Sequence, residues 1–254
     1  MTRKISVIPV TGLPLVAPGD DVAALIIAAL DSADDTLNDG DVLVIAQKII
    51  SKAEDRYVSL NSVIPSDEAA TLAQKTGKDP RLVELILSES KAVVRYRPGV
   101  IIVEHRLGII HANAGIDQSN VDGEDRVLLL PEDPDASAAD IRMRLVQHYD
   151  IELAVIINDT SGRAWRNGVL GYAIGCSGIN PLVDLRGTAD LYGRKLVVTE
   201  VAVADEMACA ASMLMGQGKE AVPAVVIRGA RVEQGGGGAG VLIRDPSEDL
   251  FRDW

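Results

Sequence analysis

The sequence predicts a domain that mixes strands and helices around an aliphatic core, and three observations carry that prediction. Short β-branched runs, from Val42 to Ala46 and from Ala154 to Ile157, are each about one strand long and end in turn residues, so they read as buried strands. Other apolar runs, from Val22 to Leu30 and at Leu82, Leu85 and Ile86, follow helical spacing. Of the 254 residues 47% are hydrophobic but only 3% aromatic, so Val, Ile, Leu and Ala must fill the core. The length suits one large domain or two small ones.

A formal net charge of −12 argues against non-specific nucleic-acid binding and against an anionic membrane surface. It leaves room for an anionic substrate, because a local basic pocket or a bound metal dominates nearby. Two cysteines, Cys176 and Cys209, make no disulfide framework. No signal peptide and no apolar stretch of about 20 residues is present, so a cytoplasmic location is expected.

In chain order, Lys4 to Val10 alternates as a strand and runs into Thr11-Gly12-Leu13-Pro14-Leu15, where Gly and Pro force a turn. Asp20 and Asp21 precede the Val22–Leu30 helix at its positive end. The strand from Val42 to Ala46 leads into Gln47-Lys48, and Lys48 and Lys52, four apart, share a face if the segment is helical. Ser66 and Asp79-Pro80 begin two helices. Val93 to Tyr96 and Val100 to Glu104 flank Pro98-Gly99 as a hairpin. Leu107 to Ala112 reads as a strand ending in the polar cluster Asn113 to Asn120, and Val127 to Leu130 as a short strand. Asp133-Pro134 opens a helix through about His148, whose place at the helix C-terminus suits the dipole. His105 and His111 lie near strand ends without a second histidine or cysteine at ligand spacing, which disfavours zinc.

The Ala154–Ile157 run ends in Asn158-Asp159-Thr160-Ser161-Gly162-Arg163, with Arg166 beyond it; this reads as a polar loop at a strand end. Val169 to Gly175 reads as a strand with glycines where backbones approach closely. Asp184 to Gly193 forms a polar turn region. Thr199 is the candidate cap of an Ala-rich helix from Glu200 to about Met215, which stops at Gly216-Gln217-Gly218-Lys219-Glu220. Val225 and Val226 mark a last buried strand, and Gly235 to Gly238 a flexible loop.

Two aspartates, Asp117 and Asp159, thus each follow an apolar strand. If the fold brings them together they repel when both are ionised, and a divalent cation such as Mg²⁺ removes that penalty. Arg163 and Arg166 offer fork donors for carboxylate or phosphate. Lys52, the Thr11–Leu15 turn and the Met215–Glu220 loop are candidates to hold phosphates, the equipment of metal-assisted phosphoryl transfer. No Walker A sequence and no Gly-x-Gly-x-x-Gly opening a βαβ unit is present, which disfavours P-loop and Rossmann enzymes.

An ordered set of segments resembles the coenzyme F420-0:L-glutamate ligase family. The segments are Gly12-Leu13-Pro14-Leu15 with Gly19-Asp20-Asp21, then Gly40 to Val44 through Ile50-Ser51-Lys52-Ala53-Glu54, then Ala112 to Asp117 with Ser119-Asn120. Asn158 to Arg163 with Arg166 and Gly168, and Thr199-Glu200 through Gln217, complete the set. It spans nearly the whole chain. The resemblance implies an α+β fold of mixed sheets and packed helices with two subregions, in an intertwined homodimer. It also implies a single domain of that kind over residues 1–254, without the nitroreductase-like domain that some relatives carry after it.

The implied activity is a GTP-dependent ligase that adds L-glutamate to coenzyme F420-0 through an acyl phosphate, with Mg²⁺ or Mn²⁺ and K⁺ as a further candidate cation. The alternatives are a related amide ligase acting on another phosphorylated acid, or a non-catalytic nucleotide- or deazaflavin-binding protein. By motif position, Gly12, Leu13, Pro14 and Leu15 would form one wall of the GTP site, with Gln47, Lys48 and Lys52 adding contacts. Asn120 and the loop Met215, Gly216, Gln217, Gly218, Lys219, Glu220, Ala221 and Val222 would complete it. Asp117 and Asp159 would ligate one metal, and Thr160 and Gln217 would stand at a second. Asp117, Asp159 and Arg163 are the candidate catalytic residues. Where this chain has Gln47-Lys48, relatives often carry small hydroxyl residues, and Asp55 replaces a frequent glycine.

Overall fold

The computed structural model describes residues 4–119, 121, 123 and 125–251. Strand β1 (Ser6–Val10) leads to helix α1 (Val22–Ser32), then β2 (Val42–Ala46), α2 (Gln47–Ala53) and β3 (Tyr57–Ser59). Helices α3 (Asp67–Thr76) and α4 (Pro80–Ser88) precede β4 (Ser90–Arg97), β5 (Val100–His105), β6 (Ile110–Ala112) and β7 (Arg126–Leu128). Helix α5 (Pro134–Tyr149) feeds the long hairpin of β8 (Ala154–Arg163) and β9 (Arg166–Ser177). The pair β10 (Val183–Asp184) and β11 (Glu200–Val201), helix α6 (Val203–Met215) and β12 (Ala224–Arg228) follow. The fold is a mixed α+β arrangement with several sheets, as expected.

The main sheet runs β1-β12-β2-β8-β9, with only β2 and β8 parallel. Strand β2 is buried on both faces, which is why it reads as an unbroken apolar run. Leu43 and Ile45 point to one side, where α1, α2 and α5 pack. Val42 and Val44 point to the other, where Ala204, Met207, Ala208 and Ala211 of α6 cover them. The small residues of α6 permit close approach. Gly171 of β9 is required there, since a Cβ would collide with the Ala208 carbonyl, Asn158 and Ser212. A third core joins Leu72, Leu82, Val83 and Ile86 of the α3–α4 pair to Ile101 and Val103 of β5.

The caps fall where the sequence put them: Ser66 accepts from the Ala69 amide, and Asp79 and Asp133 precede a proline at the first helical turn. Three expectations fail. Arg106–Gly108 is a turn, with the Gly108 amide bonded to the His105 carbonyl, so only Ile110–Ala112 is a strand. Thr199 caps no helix. Its carbonyl accepts from Leu185, Glu200 and Val201 pair with Asp184 and Val183, and α6 begins at Val203. The β-branched Val197, Val198 and Val201 favour that extended path over helix. The stretch Asn158–Arg163 is not a loop: it continues β8, paired with β9 through to Arg163. Hydrogen bonding to β9 overrides the polar composition.

Candidate functional site

The parallel pairing of β2 and β8 sets Ala46 opposite Asn158, so Gln47, the first residue of α2, lies beside the Asn158–Thr160 stretch of β8. The Pro223 carbonyl accepts from the Ala46 amide at 2.8 Å and brings the Met215–Val222 loop to the same edge. The Ala53 carbonyl accepts from the Gly19 amide at 2.9 Å and tethers the loop after β1 to α2. Asp117 arrives from the third core. A tight turn at Asn113–Gly115 puts Asn113 and Ala114 in the left-handed region, at φ 52° and 56°, where side chains are disfavoured. That strain is held by Asn113 Oδ1, which accepts from the Ile101 amide, and by backbone pairing of Asp117 with Leu128.

The two aspartates converge as charges. Asp117 Oδ2 accepts from Gln47 Nε2 at 2.8 Å, and Lys48 Nζ lies 3.3 Å from Oδ1. Asp159 Oδ1 accepts from the Thr160 amide at 2.7 Å, and Oδ2 faces His111 Nε2 at 3.1 Å. Burial raises the Asp117 pKa, Lys48 opposes this, and the charge of Asp159 adds to the rise. Burial of His111 disfavours its cation, but the hydrogen bond and charge of Asp159, the Ala112 carbonyl and Asp117 outweigh it, and its pKa is raised. Tyr172, opposite Asp159 in β9, is pushed well above the ordinary phenol range by burial and by the charges of Asp159 and Asp205.

Cationic residues gather on the same side. Lys52 is pushed below the ordinary lysine value by burial and by Lys48, against the pull of Asp117. The two lysines share one face of α2, a crowding of like charge that a polyanion relieves. Thr160 Oγ1 donates to Gln217 Oε1 at 3.2 Å, joining β8 to the loop after α6. That loop folds tightly: Gly216 has φ 69°, a Cβ there would strike Glu220, and Glu220 accepts from the Gly218 amide. Met215 Sδ accepts from Asn158 Nδ2 at 3.4 Å.

The structure therefore brings together Gln47, Lys48, Asp117 and Asp159, with Thr160 and Gln217 beside them. Leu13 packs against the first core, whereas Leu15 is 94% exposed at the rim. Arg163 is not among this group. It lies at the exposed hairpin tip, four residues and about 13 Å along β8 from Asp159, bonded to the Gly168 carbonyl. Asn120 lies outside the described residues. Sequence reasoning placed His111 at a strand end but missed its partner, because Asp159 is 48 residues away and no local spacing encodes the contact.

Among the described residues no group of three or more His, Cys, Asp or Glu side chains stands ready to hold a metal. The donor set is two carboxylates with neutral oxygens from Thr160 and Gln217. Each carboxylate uses two of about four acceptor positions. Such oxygens suit Mg²⁺ or Mn²⁺, which commonly take one or two carboxylates and complete their shells with water and substrate phosphate.

Residues 12–229 match the F420-0:Gamma-glutamyl ligase family. The chain belongs to that family. It is 50% identical over 250 residues to the coenzyme F420:L-glutamate ligase of Methanothermobacter thermautotrophicus, covering 98% of this chain and 99% of the relative. The protein of that name from Methanopyrus kandleri is 49% identical over 241 residues, 93% of each chain. The one from Archaeoglobus fulgidus is 44% identical over 249 residues, 98% of this chain and 97% of the relative. Of the segments shared with the F420-0:gamma-glutamyl ligase family, those that carry Gln47, Lys48, Asp117, Asp159, Thr160 and Gln217 meet at the edge formed by β2, β8 and the loop after α6. No helix among the described residues is long and apolar enough to cross a membrane.

Proposed function

We propose that this protein joins L-glutamate to coenzyme F420-0 at the expense of GTP, and that the work is done at the Asp117–Asp159 edge. The observation that carries the reading is the meeting of two carboxylates with a lysine-bearing helix face, in a chain matched to the ligase family over residues 12–229. Asp117 and Asp159 would hold Mg²⁺ or Mn²⁺, with Thr160 and Gln217 beside them, and the cation would supply charge neutralisation for a polyphosphate.

Lys48 and Lys52 bind the phosphates of GTP, with Gly12–Leu15 and the Met215–Val222 loop enclosing the nucleotide. A carboxylate oxygen of F420-0 attacks the γ-phosphorus, GDP leaves, and an acyl phosphate results. The glutamate amine then attacks the acyl carbon; an amide forms, and phosphate and a proton are released. Phosphorylation turns a poor leaving group into a good one, which is the reason a nucleotide is spent. Arg163 and Arg166, at the hairpin tip, receive a substrate carboxylate or phosphate.

A homodimer is part of the reading. Leu191, Tyr192, Val197 and Val198 are 78–99% exposed on the segment between β10 and β11, an apolar surface that suits a second copy. Light scattering should give twice the chain mass. The decisive assay follows phosphate release from GTP in Mn²⁺ or Mg²⁺. Release that requires both L-glutamate and F420-0 supports the ligase. Release with neither removes it in favour of a GTP hydrolase, and no release with both removes it in favour of a binding protein.

A further inference from the structure

Asp117 meets α2 through two very different partners. Gln47 is buried, and its orientation is set by Asp117: the ionised carboxylate only accepts, so the NH2 end faces Oδ2 at 2.8 Å, and Oε1 is left to accept from the Ser51 hydroxyl at 2.8 Å. Lys48 is held more loosely. Its side chain is 31% exposed, and its Nζ reaches Asp117 Oδ1 at 3.3 Å while donating to Ser119 Oγ at 3.0 Å. An ammonium on a four-carbon stem is a movable point charge, unlike the fork of an arginine. It holds Oδ1, the Asp117 oxygen that Gln47 leaves open, and it shares its helix face with Lys52.

We propose that Lys48 is a resident counter-cation of Asp117, contesting that carboxylate with a divalent metal and released from it when a polyphosphate binds across the Lys48–Lys52 face. The inference rests on the reading of Asp117 and Asp159 as metal ligands. By linkage, polyphosphate and metal then strengthen each other's binding, since each disfavours the Lys48–Asp117 pair. The pair also spares a carboxylate near Asp159 from standing uncompensated before substrates arrive.

The test uses Mn²⁺ alone, without nucleotide, with free Mn²⁺ read by electron paramagnetic resonance. Lys48→Met, which keeps length and removes charge, should bind Mn²⁺ roughly tenfold more tightly than the unaltered protein. Lys48→Arg should show no gain, and adding Asp117→Asn to Lys48→Met should abolish the gain. In EDTA, Lys48→Met should melt lower than the parent, and Mn²⁺ should restore more of its melting temperature than it adds to the parent. A lysine with a merely structural role would lower the melting temperature without tightening Mn²⁺. Should Lys48→Met misfold, Lys48→Ser gives the same comparison. Unchanged Mn²⁺ affinity in the Lys48 variants, with binding still dependent on Asp159, overturns the counter-cation alone. No Mn²⁺ binding to any of these proteins overturns it together with the metal reading.

Discussion

Two carboxylate clusters in this molecule are built from similar parts and behave in opposite ways. Glu89, the cap residue of α4, accepts from Arg56 at 3.1 Å and Arg106 at 3.0 Å, and those arginines reach Glu132 and the Leu130, Pro131 and Glu132 carbonyls. Burial pushes the Glu89 pKa up, but His105 and the two arginines pull it down further, to about 2. His105 Nε2 is 3.6 Å away, too far for a hydrogen bond, so the arginine forks carry most of that pull. Asp117 is the reverse: the charge of Asp159 adds to its burial, the cation in contact with it is one movable lysine, and its pKa is raised. One cluster pairs its two carboxylates with two fixed guanidiniums and fastens the α4–β5 region to the segment between β7 and α5. The other rests on a partly exposed lysine and a neighbouring amide, partners that the proposed metal and polyphosphate would replace. Burial and charge alone do not distinguish a fastener from a site; the exchangeability of the partners does.

The sharpest way to break this contrast is Asp159→Asn. Turnover should fall roughly 10³-fold or more, while the fold persists, since a neutral amide still meets His111 and the Thr160 amide. Normal activity with unchanged metal dependence would remove Asp159 from the site. Glu89→Ala should do the opposite, costing about 3 kcal/mol of stability in urea unfolding because two arginines lose their shared acceptor. A loss under 1 kcal/mol would mean that the cluster is no fastener.

The acid limb sharpens the same point. Glu89 has a folded pKa below its ordinary value near 4.5, so its contribution is fully present above that value and lost as pH falls towards about 2. Thermal melts over that window should steepen for the parent and flatten for Glu89→Gln. The smallest effect is at His111, whose pKa is raised. Its stabilisation is fully present below about 6.5 and fades as pH rises through the higher folded value. Its imidazole resonances by NMR should titrate above 6.5, and a midpoint below that would show burial winning over Asp159.

Much of this was legible in the chain because it is encoded locally. The β-branched run of β2, the Ser66 and Asp79 caps, the Pro98-Gly99 hairpin and the Gly216 stop are each decided within a few residues. The segments carrying Asp117 and Asp159 were legible too, as polar clusters after apolar runs. What the sequence hid depends on partners far along the chain. Asn158–Arg163 is a strand only because β9 pairs with it, Glu200–Val201 because β10 does, and His111 and Lys48 acquire meaning from Asp159 and Asp117. The Glu89 fastener went unseen because its residues are spread from Arg56 to Glu132 with no repeating interval.

The central claim is tested most directly by mass spectrometry of F420-0 incubated with GTP, Mn²⁺ or Mg²⁺ and L-glutamate. The parent protein, Asp159→Asn and Glu89→Gln should be compared well below their melting temperatures. Products heavier by glutamyl units with the parent and Glu89→Gln, and none with Asp159→Asn, are the predicted result. Equal product from Asp159→Asn, or no added mass with the parent, would contradict the account.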